Sequence, residues 1–109
     1  MIVAGKSSDF QMQDIRLETV VRAGLRQMSA ELDGEAVVLS FDDGKYYSLN
    51  PIGARIWQLI EGWRKVSDLL VVLLEEYDVE AAQCESDLIV LLTQLRDLRL
   101  VEVQDATSA

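Results

Sequence analysis

An Asp-Gly pair between two alternating segments constrains the fold of this chain more than any other feature. Asp33-Gly34 is a preferred sequence for a two-residue type I′ turn, which joins antiparallel strands. A turn there pairs Gln27–Leu32 with Glu35–Phe41 and sets Met28 opposite Leu39. The apolar residues of both strands then share one face, so the register agrees with the hydrophobic pattern. The sequence therefore predicts a β-hairpin in the first half of the chain.

A second turn signal, Asp42-Asp43-Gly44, extends the hairpin to a third strand over Lys45–Leu49. A two-residue loop at this turn would place the apolar residues of strands two and three on opposite faces. A three-residue loop with Gly44 in the left-handed conformation pairs Phe41 with Lys45 and Leu39 with Tyr47. All the large apolar side chains then share one face, and we predict this longer loop. The three strands form a meander whose third strand lies at an edge.

Three helices follow the strands. Asn50-Pro51 combines a preferred N-cap residue with proline at the first helical position, so it begins helix one, which runs to about Glu61. Apolar residues at helical spacing predict helix two over about Asp68–Tyr77 and helix three over about Ala81–Arg99. Strands followed by helices indicate an α+β domain with the helices on one sheet face, a rearranged relative of the winged helix-turn-helix.

The two ends of the chain lack this clear patterning. Residues 1–14 are polar and aperiodic, so we expect a disordered tail before a single domain over residues 15–105. Ile15–Gly24 is expected to lie as an extended arm, and Val101–Val103 as a short final strand. The longest apolar run, Leu69–Leu74, is far below the ~18 residues that a membrane helix needs, and no secretory signal is visible. We therefore expect a cytoplasmic protein with no membrane partner.

Composition removes most catalytic chemistry. The chain has no histidine and one cysteine, Cys84, which excludes a His-dependent triad and a zinc site. Cys84 falls on the predicted core stripe of helix three, where Glu85 and Asp87 oppose thiolate formation. Nineteen acidic residues against ten basic ones give a net charge of −9, which disfavours contact with nucleic-acid phosphates. We expect a protein that is not an enzyme and that uses no cofactor, metal or nucleic acid.

Two features indicate a surface for a peptide. The predicted edge strand, Lys45–Leu49, offers unpaired backbone groups to which an extended peptide can add as a strand. The core stripe of helix three is formed by Cys84, Leu88, Leu91, Leu95 and Leu98. A second stripe beside it has an apolar centre and charged ends: Glu85, Ile89, Leu92, Arg96 and Arg99. A surface helix needs one apolar stripe for its own core. The second stripe therefore either borders a partner or widens the core.

Segments along most of the chain resemble the PqqD-like family. They occur in order and at normal spacing over roughly residues 25–103: Asp33–Leu39, Gly44–Asn50, Gly53–Trp57, Glu76–Val79, and Asp87 with the leucines that follow it. The resemblance implies a domain of three strands and three helices without catalysis of its own. It also implies recognition of the leader segment of a ribosomally made, modified peptide.

In that family the leader lies as an added strand on the third strand, against the third helix. Carried over by position, the resemblance implies these peptide-binding residues: Lys45, Tyr46, Tyr47, Ser48, Leu49, Glu85, Asp87, Ile89, Leu92 and Arg96. Tyr47 and Leu49 would form the floor of the site. Ile89 and Leu92 would form its wall, and the charged residues would meet charged leader residues.

The resemblance also implies partners. Free-standing members of this size resemble the lasso-peptide recognition protein, which hands the leader to a transglutaminase-like leader peptidase and the core peptide to an asparagine-synthetase-like cyclase. A PqqD-type chaperone that presents its peptide to a radical-SAM enzyme is the alternative within the family. A winged-helix DNA-binding regulator is the alternative outside it. Acidic residues on helix three, Glu85, Asp87 and Asp97, disfavour the regulator because a recognition helix is basic on its exposed face.

Overall fold

Two three-stranded antiparallel sheets and three helices make up residues 15–105, the part of the chain that this computed structural model describes. The first sheet has the order β5-β1-β6, with β1 (Thr19–Ala23), β5 (Arg64–Lys65) and β6 (Val101–Asp105). The second has the order β2-β3-β4, with β2 (Gln27–Leu32), β3 (Glu35–Ser40) and β4 (Tyr46–Leu49). The helices are α1 (Pro51–Leu59), α2 (Val66–Glu76) and α3 (Ala81–Asp97). The predicted α+β class is confirmed, while the predicted tail over residues 1–14 lies outside the described residues.

The first hairpin has the predicted register and turn. Met28 pairs with Leu39, as the two-residue loop requires. Asp33 and Gly34 have φ angles of 54° and 82°, and both positions of a type I′ turn need positive φ. Gly44 in the next turn also has the expected positive φ, 68°. These glycines therefore sit where a side chain would strain the backbone.

The second hairpin is one residue out of the predicted register. The Ser40 N–H donates to the Lys45 carbonyl oxygen at 2.9 Å, so the loop contains four residues, Phe41–Gly44, instead of three. Asp43 stabilises this longer loop from within. Its carboxylate accepts hydrogen bonds from the Lys45 N–H at 2.9 Å and from the Tyr47 hydroxyl at 2.6 Å. These hydrogen bonds stabilise the four-residue loop, so the loop length differs from the one that the hydrophobic pattern predicted.

The shift turns the faces of β4 relative to β3, so that Tyr47 and Leu49 lie on the opposite side of the sheet from Leu39. Val38, instead of Leu39, pairs with Tyr47, and Ala36, Val38 and Ser40 are the buried residues of the strand. Helix α1 covers this inner face, where the Trp57 Nε1–H donates to the Ser29 hydroxyl at 3.1 Å. Small inner residues leave room for the helix to pack closely on the sheet. The prediction that all the large apolar residues of the meander share one face is therefore wrong.

The first sheet includes most of the predicted arm as β1 and extends the predicted final strand as β6. In β1, Val20 pairs with Lys65 on one side and with Gln104 on the other. Gly24 directly follows β1 and lies against the backbone that follows α3. Its N–H donates to the Leu100 carbonyl oxygen at 2.8 Å. A β-carbon at Gly24 would lie 3.2 Å from that same oxygen. Glycine is therefore the residue that permits this close approach.

The core joins both sheets to the three helices. Its fully buried large side chains are Val21, Val38, Ile56, Ile60, Val66, Leu69, Leu73, Leu88, Leu92 and Leu100. Helix α3 contributes Leu88, Leu92 and Leu95, which are spaced by four and three residues and share one face. None of the described helices combines the length and the apolar character needed to cross a membrane.

Candidate functional site

A groove of about 410 Å³ lies between the end of β4 and the first half of α3. Apolar side chains from four elements and from the turn before α3 supply most of its lining: Leu49, Ile52, Ile56, Leu73, Tyr77, Val79, Leu88 and Leu91. A few polar residues stand at its border: Ser48, Asn50, Gln83 and Asp87. A concave, mostly apolar pocket with few polar groups is the usual form of a ligand site.

The strand beside this groove has an open edge. Hydrogen-bonded and non-bonded pairs alternate in an antiparallel ladder. Since Ser40 bonds to Lys45, the alternation also bonds Tyr47 and Leu49 to β3. Tyr46 and Ser48 therefore direct their N–H and C=O groups away from β3. No strand among residues 15–105 pairs with that side of β4, so these groups form a template for a further strand.

A helix cap fixes the end of β4 against the groove. The Asn50 side-chain oxygen accepts a hydrogen bond from the Gly53 N–H at 2.8 Å, as predicted for an N-cap. A β-carbon at Gly53 would lie 3.3 Å from both the Asn50 side-chain oxygen and the Leu49 Cβ. The chain turns from strand to helix within one residue, Asn50, and Gly53 leaves the space that this close approach needs. This tight turn places buried Leu49 at the floor of the groove.

Two pairs of side chains hold the frame of the groove. The Tyr47 hydroxyl bond lowers the pKa of Asp43 below its ordinary value, and the same bond raises the pKa of Tyr47. Asp43 is thus ionised at neutral pH and secures the start of β4. At the other end, Arg55 of α1 forms a bidentate pair with Glu76 of α2, at 2.9 Å and 2.7 Å. This pair lowers the pKa of Glu76 and fixes the end of α2 next to Tyr77, which lines the groove.

Helix α3 presents a different stripe to the groove from the predicted one. Leu92 has 0% exposure and lies in the core, so it does not border the groove. Ile89 is half-buried against the core, and Arg96 lines a separate cavity with Arg26. Of the α3 residues predicted to bind peptide, Asp87 lines the groove, whereas Glu85 is not part of its lining.

The wall is formed instead by residues that the sequence analysis placed in the core stripe. Cys84, Leu88 and Leu91 line the groove together with Gln83 and Asp87. The two stripes differ by one position, a rotation of about 100° around the helix axis. Both have helical spacing, so the apolar pattern of α3 alone did not distinguish them. The buried face takes residues from both stripes, Leu88 and Leu95 from the predicted core stripe and Leu92 from the second one.

Cys84 is a wall residue, half-buried rather than fully buried as predicted. Burial raises the pKa of its thiol, and the negative charge of Asp87 raises it further. The thiol is therefore protonated at neutral pH and acts as a small apolar surface. Among residues 15–105, no group of three or more His, Cys, Asp or Glu side chains is arranged to hold a metal ion.

The β4 residues predicted to bind peptide lie together at the open edge. Ser48 and Leu49 line the groove, and Tyr46 is exposed beside them. Tyr47 is half-buried on the core side, and Lys45 precedes the strand. The exposed carboxylate of Asp87 accepts a hydrogen bond from the Gln83 side chain at 2.9 Å. The arrangement offers backbone pairing along one side, an apolar cavity below and one acidic group on the helix.

A comparison with protein families matches residues 35–101 to the family described as coenzyme PQQ synthesis protein D (PqqD). A solved structure of TbiB1 in complex with the TbiA(beta) leader peptide is 32% identical, with a TM-score of 0.69 over 74% of this chain and 94% of that chain. A lasso peptide synthetase B1 complexed with its leader peptide is 29% identical, with a TM-score of 0.66 over 75% of this chain and 96% of that one.

The fold is also shared with a third solved structure, at lower identity. The solution structure of the PqqD truncation of Methylobacterium extorquens PqqCD, a stand-alone recognition element for ribosomally synthesised and modified peptides, is 22% identical. It has a TM-score of 0.63 over 76% of this chain and 88% of that chain. No curated protein sequence matches the chain.

Proposed function

This chain belongs to the PqqD family, and on that premise we propose that it is an adaptor that binds the leader segment of a ribosomally synthesised precursor peptide. The observation that carries the proposal is the open edge of β4 beside an apolar groove. Two of the similar structures contain lasso-peptide B1 proteins with bound leader peptides, which supports the same ligand class here. The adaptor has no catalytic step of its own in this account.

The leader binds as a fourth strand of the second sheet. Its backbone pairs with the outward N–H and C=O groups of Tyr46 and Ser48. Alternate leader side chains then point into the groove, because successive side chains of a strand point to opposite faces. Large apolar side chains fit the cavity between Leu49 and Leu91. Backbone pairing supplies affinity that is independent of sequence, and the groove supplies specificity.

Asp87 gives the site one charge preference. Its carboxylate is exposed on α3 at the groove and attracts a lysine, an arginine or a free N–H of the leader. The proposed peptide-binding residues are therefore Lys45, Tyr46, Tyr47, Ser48 and Leu49 of the edge, with Asp87, Leu88 and Leu91 of the wall. Leu92 is excluded because it is fully buried and is not part of the groove lining.

Delivery to a modifying enzyme completes the proposal. Identity is higher to the lasso-peptide B1 structures than to the PqqD structure, so we favour a leader peptidase and a cyclase as recipients. A radical-SAM enzyme is the recipient in the alternative. We place this step in the cytoplasm, where precursor peptides are made. A DNA-binding role is disfavoured because α3 turns its acidic Asp87 toward the groove.

Titration by fluorescence polarisation tests the adaptor role. The probe is a fluorescein-labelled leader peptide encoded beside the gene of this chain. We expect micromolar or tighter binding that Leu91→Asp weakens at least about tenfold, since a charge enters the apolar wall. Val71→Asp is the matched control, because Val71 is an exposed apolar residue of α2 outside the groove. Absence of binding to every such leader, or equal loss in both variants, would refute the proposal.

A further inference from the structure

The outer face of the second sheet is apolar and is not covered by any described residue. This outer face consists of Met28, Leu32, Val37, Leu39, Phe41 and Tyr46. The strand registers place five of them on the same side, and Phe41 continues the ladder because its N–H donates to the Arg26 carbonyl oxygen at 3.1 Å. Met28 and Leu32 are 63% and 64% exposed, Phe41 is 50% exposed and Tyr46 is 70% exposed. Contiguous exposed apolar surface of this kind marks an interaction site in soluble proteins.

From this surface we infer a docking site for the modifying enzyme that receives the leader, an inference that rests on the proposed function. Tyr46 and Ser48 connect the two sites. Their backbone groups lie at the edge where the leader pairs, while their side chains point to the outer face, as the pairing with Leu39 and Val37 requires. An added leader strand extends the outer face with every second side chain. An enzyme on this face therefore contacts the adaptor and the leader together.

The size of the outer face favours an enzyme over a second copy of this chain. Its four most exposed side chains offer roughly 500 Å² if a large side chain contributes about 200 Å² when fully exposed. A stable dimer needs about 800 Å² from each partner. The outer face alone falls short of that area, and the leader strand supplies the remainder only in the ternary complex. The contact is thus suited to a transient partner that recognises the loaded adaptor.

The charges at the border define the chemistry of the partner. Asp33 and Glu35 are exposed and acidic at the β2–β3 turn, at one end of the outer face. At the opposite end Arg26 forms an ion pair with Asp42 at 2.7 Å, so its charge is balanced. The matching enzyme surface has an apolar centre with lysine or arginine beside it. A second copy, with the same net charge of −9, would add repulsion.

Binding of purified enzymes to the full-length chain tests this inference. Each modifying enzyme encoded beside the gene of this chain is immobilised separately, and biolayer interferometry measures its affinity with and without saturating leader peptide. The test variant is the double substitution Met28→Ser with Leu32→Ser, and Val71→Ser is the control because Val71 is similarly exposed, at 53%, on another surface. A second variant, Asp33→Asn with Glu35→Gln, removes two charges without changing side-chain size.

One enzyme is expected to bind the leader-loaded adaptor more tightly than the free adaptor. The serine double variant should lose at least about tenfold in enzyme affinity while its leader affinity by fluorescence polarisation stays within about twofold. The charge variant should weaken enzyme binding several-fold, mainly in the association rate, and Val71→Ser should change nothing. Circular dichroism checks that each variant is folded.

Three outcomes would overturn the inference. They are undiminished enzyme binding by the serine variant, absence of binding by every enzyme tested, and a wild-type dimer in sedimentation that this variant converts to monomer. The last outcome would assign the outer face to a contact between copies of the chain. Failure of the wild type to bind any leader, with enzyme binding still lost in the serine variant, would refute the proposed function and leave the docking surface supported.

Discussion

Replacing two neighbouring leucines of α3 separates the core from the groove. Leu92 is fully buried, whereas Leu91 is half-buried and lines the groove. Leu92→Ala removes a core side chain and leaves a cavity, which costs about 2–5 kcal/mol of stability. A domain of this size has about 5–15 kcal/mol available, so most of the molecules stay folded.

Leu91→Ala is expected to reduce leader affinity more than stability. Part of this side chain already contacts solvent, so we expect a stability cost of about 1 kcal/mol from the smaller buried area. Its loss from the wall removes contact with the leader, and we expect the dissociation constant to rise roughly five- to thirtyfold. Leu92→Ala should leave the dissociation constant within about twofold, because its side chain does not reach the ligand.

Two assays on the same samples measure these effects. Thermal unfolding followed by circular dichroism should show a melting temperature lower by at least about 8 °C for Leu92→Ala and by a few degrees for Leu91→Ala. Fluorescence polarisation with labelled leader peptide should rank the variants in the opposite order. A leader affinity lost in Leu92→Ala with an unchanged melting temperature would show that Leu92 borders the groove, and would refute the reasoning.

Two further substitutions test the frame of the groove and, separately, the close approach of the backbone between β1 and the end of α3. Since the bond from Tyr47 lowers the pKa of Asp43 in the folded state, the stability that Asp43 adds is present at neutral pH and is lost as the pH falls below about 4. Asp43→Asn should therefore reduce the urea midpoint at pH 7 and flatten its decline in acid; an unchanged pH profile would contradict this role. Gly24→Ala brings a β-carbon to 3.2 Å from the Leu100 carbonyl oxygen and should cost about 1–3 kcal/mol. Gly62→Ala is the control, since a β-carbon there meets nothing within 4 Å, and equal melting temperatures for the two variants would show that the close approach is not required.

The local signals in the sequence predicted the elements well. Asp33-Gly34 specified its hairpin because a type I′ turn needs residues that tolerate positive φ. Asn50-Pro51 predicted the start of α1 because cap and proline preferences depend on the first turn alone. Such signals are contained in a few neighbouring residues, so no tertiary contact was needed to interpret them.

The errors arose where two local solutions had similar spacing. For the β3–β4 loop, the hydrophobic pattern favoured three residues, whereas the hydrogen bonds of Asp43 support four. For α3, the spacing did not show that Leu92, instead of Leu91, is buried together with Leu88 and Leu95, because packing against other elements decides this. The pairing of the first sheet was missed for a different reason: β5 has only two residues, Arg64–Lys65, and pairs with β1 across a long separation in sequence.

The errors in the β3–β4 loop and in α3 changed the interpretation of the surface. The observed register places Tyr47 and Leu49 of β4 on the inner face, and the large apolar side chains of β2 and β3, such as Leu32, are left on the outer face. On α3, Leu91 of the predicted core stripe lines the groove, whereas Leu92 of the second stripe is buried in the core. The position of the edge strand itself was predicted from the sequence, because it depends on the order of hairpins in a meander.

Amide hydrogen exchange at β4, measured by NMR with and without leader peptide, tests the central proposal most directly. The alternation of the ladder turns the N–H groups of Tyr46 and Ser48 toward the open edge and bonds that of Tyr47 to β3. Saturating leader should slow exchange at Tyr46 and Ser48 strongly, while Tyr47 is already protected in the free protein. If the leader binds and the amides of Tyr46 and Ser48 exchange as fast as before, the peptide is not an added strand on β4.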